Sequence, residues 1–209
     1  MDRAERSIRV LPCGDRALLV EVAGPADVEA VRRALEQTPL PGQRELVPAA
    51  RTVLVVLDRP PTDLDAATLR RLPVTDAGPA AGAALVTVPV TFDGPDLAEV
   101  ARLWGRRESD VVAVLTGVEL TVAFSGFAPG FGYLTGLPED LHVPRRETPR
   151  TRVPAGAVAL AGPYAGIYPR SSPGGWQLVG RTDAVLFDVH RDPPALLVPG
   201  ARVRFREVV

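Results

Sequence analysis

The sequence predicts an α+β fold in two domains, a small ferredoxin-like domain over residues 1–82 and a β-barrel domain over residues 83–209. Three observations lead to this prediction. The first domain alternates between apolar runs typical of strands and amphipathic stretches typical of helices. Residues 76–82, DAGPAAG, lack apolar periodicity and are typical of a linker. After residue 124 only short apolar runs remain, separated by Gly and Pro turns, which favours a closed sheet.

The elements of the N-terminal domain follow the order strand, helix, strand, strand, helix. The run RALLVEV, within residues 7–22, predicts a strand, and Gly24-Pro25 opens the amphipathic helix ADVEAVRRALEQ. RTVLVVLD supplies a β-branched strand. Thr62, with Asp65 three residues later, predicts a capped start for the helix DLDAATLRRL. This order is that of a split β-α-β unit and predicts a ferredoxin-like sheet.

The second domain opens with ALVTVPVTF, whose alternating pattern predicts a strand. Two short helices follow, GPDLAEVARLWG and ESDVVAVLTG, with Pro95 and Ser109 near their starts, before VELTVAF returns to a strand. The later runs AVALAG, GWQLVGRT, AVLFDV, ALLV and RVRFREV each predict a short strand. Together they indicate a barrel decorated by long loops.

Composition excludes several classes of function. A net charge of −1 gives no bulk attraction for nucleic acid or an anionic membrane. The single cysteine cannot form an internal disulfide, and with only two histidines a structural zinc site is not expected. We therefore expect a cytoplasmic protein without a metal, a membrane span or a nucleic-acid partner. All 24 basic residues are arginine, so this chain has no Schiff-base lysine, biotinyl-lysine or lysine-containing phosphate loop.

Residues 125–181 are the most informative part of the chain. Seven of the eleven aromatic residues lie between Phe124 and Trp176, interleaved with glycines, prolines and arginines. Phe127 and Tyr133, flanked by small residues, are candidates for a wall that faces a ligand. Phe124 and Phe131 are equally suited to plugging one end of the barrel, and the pattern leaves this alternative open.

Two motifs in this stretch predict contacts to an anion. In PRRETPRTR the prolines hold the backbone extended, which lowers the entropy cost of presenting Arg145, Arg150 and Arg152 in fixed directions. In SPGGWQLVGRT the paired Gly174 and Gly175 allow backbone amides to line an anion-binding concavity. The alternatives are a solvated loop for the first motif and a plain hairpin turn for the second. We expect a concave site for a small anionic substrate.

Taken in order, these motifs resemble those of the KipI/PxpB family, whose members are also described as allophanate hydrolase subunit 1 or as the B-type subunit of 5-oxoprolinase. The resemblance rests on GFAPGFGYL, PRRETPRTRVPAG and IYPRSSPGGWQLVGRT, with GDRALLVEV near the start and PGARVRF at the end, and it covers almost the whole chain. It implies an N-terminal α+β domain followed by a cyclophilin-like β-barrel.

The chain departs from the family pattern in two places. Many relatives have a histidine, with a tyrosine five residues later, ahead of the GFAPGF block, but this chain has Leu115 and Leu120. The usual terminal Gly-Asp is Gly200-Ala201. Either that histidine is peripheral to the family's activity, or this member has an altered activity.

The resemblance implies a subunit of a cytoplasmic ATP-dependent 5-oxoprolinase, which opens 5-oxoproline to glutamate and is inactive as a single chain. Its implied partners are a paired C-type cyclophilin-like subunit and a LamB/YcsF-like subunit, and ATP is held by the complex, not necessarily by this chain. Two alternatives stay open: a KipI-like inhibitor of a sensor histidine kinase, and half of a urea-carboxylase-type carboxyltransferase. The exact substrate, the component of the complex that holds ATP and the stoichiometry also stay open.

For this reaction the expected site residues fall into three groups: arginines that contact an anion, aromatic residues that pack on the substrate, and turn residues that allow close backbone approach. Phosphorylation of the lactam oxygen would create a leaving group, and arginines would stabilise the developing charge. The residues are Arg145, Arg150 and Arg181; Phe127, Tyr133 and Tyr168; and Pro129, Gly130, Gly174 and Gly175. No catalytic residue or metal ligand is assigned.

Overall fold

A computed structural model describes residues 8–72 and 84–208. The chain divides into two compact units, Met1–Ala81 and Gly82–Val209. The predicted linker at 76–82 and the predicted boundary after it lie outside the described residues.

The first unit is a four-stranded antiparallel sheet with two helices. Its elements are β1 (Arg9–Pro12), β2 (Ala17–Glu21), α1 (Pro25–Gln37), β3 (Gln43–Pro48), β4 (Thr52–Leu57) and α2 (Asp63–Arg70). The strand order is β1-β2-β4-β3, and each neighbouring pair is antiparallel. Val53, Val55 and Leu57 of β4 share one buried core with Leu35 of α1 and Leu69 of α2, so both helices cover the same face.

The two predicted helices of this unit are confirmed, and α2 begins with the predicted cap. The backbone N–H of Thr62 donates to Asp65 Oδ2 at 2.7 Å, and the backbone N–H of Asp65 donates to Thr62 Oγ1 at 3.3 Å. This reciprocal pair is a capping box, which satisfies two donors that a helix start leaves unpaired.

The ferredoxin-like prediction for this unit is not confirmed. β2, β3 and β4 have the predicted split arrangement, because β4 lies between β2 and β3. The position on the other side of β2 is filled by the N-terminal β1, whose Arg9 lies opposite Glu21. The sequence prediction missed β1 because residues 7–22 read as a single strand run, whereas Gly14, with φ 66°, reverses the chain inside it.

The second unit contains a seven-stranded sheet, a two-stranded ribbon and two helices. Its elements are β5 (Leu85–Val90), α3 (Leu97–Trp104), α4 (Glu108–Gly117), β6 (Leu120–Ser125), β7 (Gly132–Thr135), a 3₁₀ turn (Glu139–Leu141), β8 (Arg150–Val153), β9 (Ala157–Ala161), β10 (Tyr164–Ile167), β11 (Ser172–Gly174), β12 (Gln177–Arg181) and β13 (Arg202–Glu207). The helices α3 and α4 confirm the two predicted there. Within residues 8–72 and 84–208, no helix has the length and apolar character needed to cross a bilayer.

The seven-stranded sheet curls until its edge strands meet. Its order is β12-β9-β10-β7-β6-β13-β5, and β5 lies parallel to β13. Just beyond β5, Thr91 exchanges two backbone hydrogen bonds of 2.9 Å with Arg181 at the end of β12. The sheet is therefore a nearly closed barrel, as the sequence predicted, and Leu134, Leu160 and Phe205 are buried in its core.

Two predicted strands, AVLFDV and ALLV, form a loop instead. Phe187 and Ala195 make an isolated bridge between them. The guanidinium of Arg191 donates to backbone carbonyls of this segment, including those of Val185 and Pro194. The carbonyl of Pro194 also accepts a backbone hydrogen bond of 2.9 Å from Asp188, so the loop is held by one side chain together with a few backbone bonds.

Candidate functional site

The aromatic residues of the motif region lie on the outer face of the barrel. β9 is buried along its whole length because both of its faces are covered, each by a different cluster. Val158 and Leu160 point into the barrel core, whereas Ala157, Ala159 and Ala161 pack under a second cluster that contains aromatic rings. The rings therefore do not plug a barrel end. Small side chains on β9 leave room for them against the sheet.

Phe131 lies at the centre of this ring cluster. Its ring contacts four others at centroid distances of 5.3 Å to Phe127, 5.0 Å to Tyr133, 5.4 Å to Tyr168 and 5.5 Å to Trp176. The interplanar angles of 63° to 84° are those of edge-to-face packing, the arrangement that ring quadrupoles favour. The cluster therefore forms a rigid apolar wall.

A cavity of about 300 Å³ opens in front of this wall. Five aromatic rings form one part of its lining, and the rest comes from the ribbon of β8 and β11 and the loop that precedes β8. The lining residues are Phe127, Phe131, Tyr133, Tyr168 and Trp176, with Arg145, Pro149, Pro173, Gly174 and Gly175. A small, largely apolar concavity with one charged group is typical of a site for a small ligand.

Phe127 lines the cavity and has an unusual backbone conformation. Its φ is 65°, a region that bulky residues rarely adopt, and the residue is 58% exposed. The backbone N–H of Ala128 donates to the carbonyl of Gly126 at 2.7 Å, which closes a γ-turn centred on Phe127. The ring contacts Phe131 and Tyr168 on one side, but more than half of the residue stays exposed, and an exposed aromatic ring held in a strained turn indicates a functional role.

Gly174 is needed for the fit between the ribbon and the wall. A Cβ atom at this position would lie 2.4 Å from the hydroxyl oxygen of Tyr168, closer than van der Waals contact allows. Gly175 is different, because a Cβ there would meet Pro149 at an ordinary 3.7 Å. The carbonyl of Gly175 instead accepts a hydrogen bond of 2.8 Å from the backbone N–H of Arg146. One glycine provides space, and the other anchors the neighbouring loop.

Arg145 is the charged group of the cavity. Its side chain makes no hydrogen bond or ion pair within residues 8–72 and 84–208. Burial raises the pKa of the Tyr133 and Tyr168 hydroxyls, and the nearby charge of Arg145 acts in the opposite direction. Both hydroxyls therefore stay protonated at neutral pH and are available as hydrogen-bond donors beside a free guanidinium.

The loop that carries Arg145 is held by a residue that the sequence prediction missed, Asp96. This residue is 3% exposed. Its Oδ1 accepts bonds of 2.8 Å from Arg146 and 2.7 Å from Arg150, and Oδ2 accepts a bond of 2.7 Å from the backbone N–H of Leu178. Burial disfavours the charged carboxylate, but the Arg150 and Leu178 bonds and the two guanidinium charges outweigh it and lower the Asp96 pKa.

Six of the ten predicted site residues line the cavity, and four do not. The six are Phe127, Tyr133, Tyr168, Arg145, Gly174 and Gly175. Arg150 is bound to Asp96 behind the loop. Arg181 lies at the far end of β12, where it pairs with Asp93 at 2.9 Å and lines a separate pocket.

Pro129 and Gly130 lie in the turn that follows Phe127, outside the cavity lining. Pro129 is exposed. Gly130 has a φ of 84°, and a Cβ on it would lie 2.8 Å from Cβ of Phe187, so close approach is required there, but by the protein itself rather than by a ligand.

Leu115 and Leu120, where many relatives have a histidine and a tyrosine, are both fully buried in the barrel core. Neither lines the cavity.

Comparison with known proteins identifies the family. Residues 8–197 match the family described as carboxyltransferase domain, subdomain C and D. The chain belongs to this family. It is similar to the B-type subunit of 5-oxoprolinase from Escherichia coli O157:H7, with 41% identity over 92% of each chain. It is also similar to the B-type subunit of 5-oxoprolinase from Bacillus subtilis (strain 168), with 34% identity over 85% of this chain and 81% of that protein. The resemblance found in the motifs is confirmed.

Three solved structures are similar to this chain. TTHA0988 matches with a TM-score of 0.75 and 38% identity, over 93% of this chain but only 40% of that chain, so this chain spans well under half its length. The conserved uncharacterized protein PH0987 from Pyrococcus horikoshii matches over 96% of this chain and 97% of its own, with a TM-score of 0.58 and 32% identity. Kluyveromyces lactis urea carboxylase, at 19% identity and a TM-score of 0.70 over 22% of its chain, shares the fold alone.

Proposed function

We propose that this chain is the B-type subunit of a 5-oxoprolinase, an ATP-dependent complex that opens the lactam of 5-oxoproline to give glutamate. This proposal rests on the 41% identity to a 5-oxoprolinase subunit, over 92% of both chains. We further infer that the barrel is cyclophilin-like, on the family resemblance and the nearly closed seven-stranded sheet.

The cavity supports this proposal through its size and its single free cation. 5-Oxoproline is a small flat ring that carries one carboxylate. Its carboxylate would pair with the guanidinium of Arg145, whose planar donors match a carboxylate in two-point geometry. Its ring would pack on Phe127, which lines the cavity and is 58% exposed. A cavity of about 300 Å³ lies at the lower end of ligand pockets and suits a molecule of this size.

Local charge favours an anionic substrate although the whole chain is nearly neutral. The loop and ribbon carry four arginines, Arg145, Arg146, Arg150 and Arg152, and one carboxylate, that of Glu147. The buried Asp96, at the start of α3, pairs with Arg146 and Arg150. The excess of positive charge raises the local concentration of an anion near the cavity.

The tyrosine hydroxyls would orient the substrate in the cavity. Tyr133 and Tyr168 line the cavity, and the pKa of each is raised by burial, so each can donate a hydrogen bond to a lactam oxygen. Opening an amide is slow without activation of its carbonyl group. We propose that these residues bind and orient the lactam while its oxygen is activated by groups from the complex.

We assign ATP to the complex rather than to this chain alone. The chain has no lysine and hence no lysine-containing phosphate loop. The cavity presents one free guanidinium, which fits a single carboxylate better than a triphosphate. The proposed partners are the paired C-type cyclophilin-like subunit and the LamB/YcsF-like subunit, and we expect the isolated chain to be inactive.

The experiment that tests this function is reconstitution. The purified chain is combined with the two partner subunits from the same genome, and glutamate release from 5-oxoproline is followed with and without ATP. We expect ATP-dependent release from the complete mixture and none when this chain is omitted. Release that does not require this chain would contradict the proposal.

A second candidate function is one half of a carboxyltransferase, which the description of the matching family favours. The discriminating experiment supplies a carboxybiotinylated carrier protein and measures transfer of the carboxyl group to urea. Transfer to urea without lactam opening would support this alternative. No feature of the cavity specifically favours a KipI-like kinase inhibitor.

A further inference from the structure

A second concavity, of about 680 Å³, lies between α3 and the loop that carries Arg145. Among the described residues that line it there is no aromatic side chain, in contrast to the aromatic cavity. We call it the polar groove, and its charged lining residues are Asp96, Glu99, Arg102, Arg145, Arg146 and Glu147. Arg145 also lines the aromatic cavity, so the two concavities share one arginine.

Four of the six charged residues of the polar groove are paired within the protein. The buried carboxylate of Asp96 accepts a bond of 2.8 Å from Arg146 and a further bond from Arg150. On α3, Glu99 accepts bonds of 2.8 Å and 2.6 Å from Arg102. These four charges are therefore neutralised by one another and do not require a ligand.

The other two charged residues of the groove, Arg145 and Glu147, are unpaired. They lie two positions apart on the loop, and both are exposed. Neither makes a hydrogen bond or an ion pair within residues 8–72 and 84–208. One free cation and one free anion on the same concave surface are complementary to a ligand that carries both charges. The carboxylate and ammonium groups of an α-amino acid are such a pair.

The floor of the groove also has unused hydrogen-bonding capacity. Gln177 is 5% exposed, and its Nε2 donates to the carbonyl of Pro144 at 3.2 Å. Its Oε1 is buried and has no partner among the described residues, and the same holds for Nε of Arg146. Buried polar atoms without a partner are rare in folded proteins. Since these two are shielded from water, only a ligand or a movement of the loop can supply the missing donor and acceptor.

We propose that the polar groove binds the amino-acid product of the reaction as it leaves the aromatic cavity. This inference rests on the proposed function, because opening the lactam is what creates the ammonium group. The bond between the lactam carbon and nitrogen breaks, the carbon gains an oxygen from water and becomes the γ-carboxylate, and the nitrogen takes up protons and becomes the α-ammonium.

The new ammonium group accounts for the transfer between the two sites. Among the described residues that line the aromatic cavity there is no carboxylate, so the ammonium has no counter-ion there. The polar groove supplies one, that of Glu147. The α-carboxylate is present in both substrate and product, and Arg145 lines both concavities, so the same guanidinium pairs with it before and after ring opening.

The test measures binding of the product to the full chain. The chain is titrated calorimetrically with L-glutamate, and Glu147→Gln should bind it at least about fivefold more weakly, because one ion pair to the ammonium is lost. Glu147 is exposed and unpaired, so this variant should fold like the wild type. The matched control is Glu139→Gln, an exposed carboxylate outside the groove lining, which should bind like the wild type.

A second ligand tests the same contact without a substitution. N-acetyl-L-glutamate keeps both carboxylates but lacks the ammonium charge, and the wild-type chain should bind it at least about fivefold more weakly than L-glutamate. With Glu147→Gln the two ligands should bind with nearly equal affinity, because the group that distinguishes them has been removed.

Three results would overturn the proposal. They are no binding of L-glutamate to the wild-type chain up to about 20 mM, binding by Glu147→Gln within about twofold of wild type, and weaker binding by Phe127→Gly with none by Glu147→Gln. The last would place the product in the aromatic cavity. Glutamate release by the reconstituted complex without binding to this chain would remove this inference alone. Binding of L-glutamate without release from 5-oxoproline would instead count against the proposed function and leave the groove site intact.

Discussion

Arg145 and Arg150 come from one arginine-rich motif but lie in opposite environments. Arg145 faces the aromatic cavity and makes no hydrogen bond or ion pair within residues 8–72 and 84–208. Arg150 lies behind the loop, with its side chain 22% exposed, and binds the buried carboxylate of Asp96 at 2.7 Å. One motif thus places one arginine unpaired beside a cavity and another against a buried carboxylate. We propose that the first binds the substrate and the second supports the loop.

The largest expected effect is a loss of stability when the carboxylate that binds Arg150 is removed. Asp96→Ala leaves Arg146 and Arg150 without their shared carboxylate, and it removes the partner of the Leu178 amide. We expect the free energy of unfolding to fall by about 3–5 kcal/mol, the usual cost of breaking a buried ion pair. Urea denaturation measures it.

The control for this prediction is Asp93→Ala. Asp93 pairs with Arg181, but the two side chains are 48% and 60% exposed. Its loss should cost no more than about 1 kcal/mol. Equal losses for the two variants would show that Asp96 does not hold the loop as described.

A smaller loss of stability is expected from a substitution in the cavity lining, at Gly174. Gly174→Ala places a methyl group 2.4 Å from the Tyr168 hydroxyl and should lower the free energy of unfolding by about 1–3 kcal/mol. Adding Tyr168→Phe removes the atom that clashes most closely and should recover part of this loss. Gly175→Ala is the matched control and should be nearly neutral, since its new contact to Pro149 is 3.7 Å. Thermal denaturation of the four proteins gives the answer, and no recovery in the double variant would contradict the assigned contact.

The buried Asp96 carboxylate also predicts that the stability of the chain depends on pH. Because folding lowers the Asp96 pKa, the unfolded chain binds more protons in the range between the two values. The contribution is therefore present above the ordinary aspartate pKa of about 4 and is lost as the pH falls through the folded value. Denaturation midpoints from pH 7 to pH 2 should decline less steeply for Asp96→Asn than for the wild type. Parallel curves would remove Asp96 from this account.

The smallest effect on stability is expected at the cavity edge. Phe127→Gly relieves a positive φ but removes an exposed ring, so the free energy of unfolding should stay within about 1 kcal/mol of wild type. The KM for 5-oxoproline in the reconstituted complex should nevertheless rise, because part of the apolar wall is gone. A large loss of stability with no change in KM would make Phe127 a core residue rather than a binding residue.

Local patterns predicted much of the fold. The spacing of Thr62 and Asp65 predicted a capped helix, and the structure contains that capping box. Short apolar runs between glycine and proline turns predicted a closed sheet, and a nearly closed barrel is found. These features depend on residues close together in sequence, where periodicity and turn chemistry determine conformation.

Contacts between residues far apart in the sequence could not be predicted from such local patterns. Asp96 and Arg150 are separated by 54 positions, and nothing near Asp96 in the sequence shows that its carboxylate is buried against arginines. β9 reads as a plain apolar strand, so its sequence does not reveal that one face lies inside the barrel and the other under aromatic rings. The segment 184–189 reads as a strand, but in the structure it is a loop with an isolated bridge at Phe187, and Arg191 donates to its Val185 carbonyl.

The central claim is tested most directly by the KM for 5-oxoproline of the reconstituted complex carrying Arg145→Gln or Arg150→Gln. Arg145→Gln should raise KM about 10- to 100-fold, the cost of a lost charged hydrogen bond, with unchanged urea denaturation of the chain. Arg150→Gln should lower the free energy of unfolding and change KM little. An equal rise in KM for both variants, or a rise for Arg150→Gln alone, would contradict the division of roles between these two arginines.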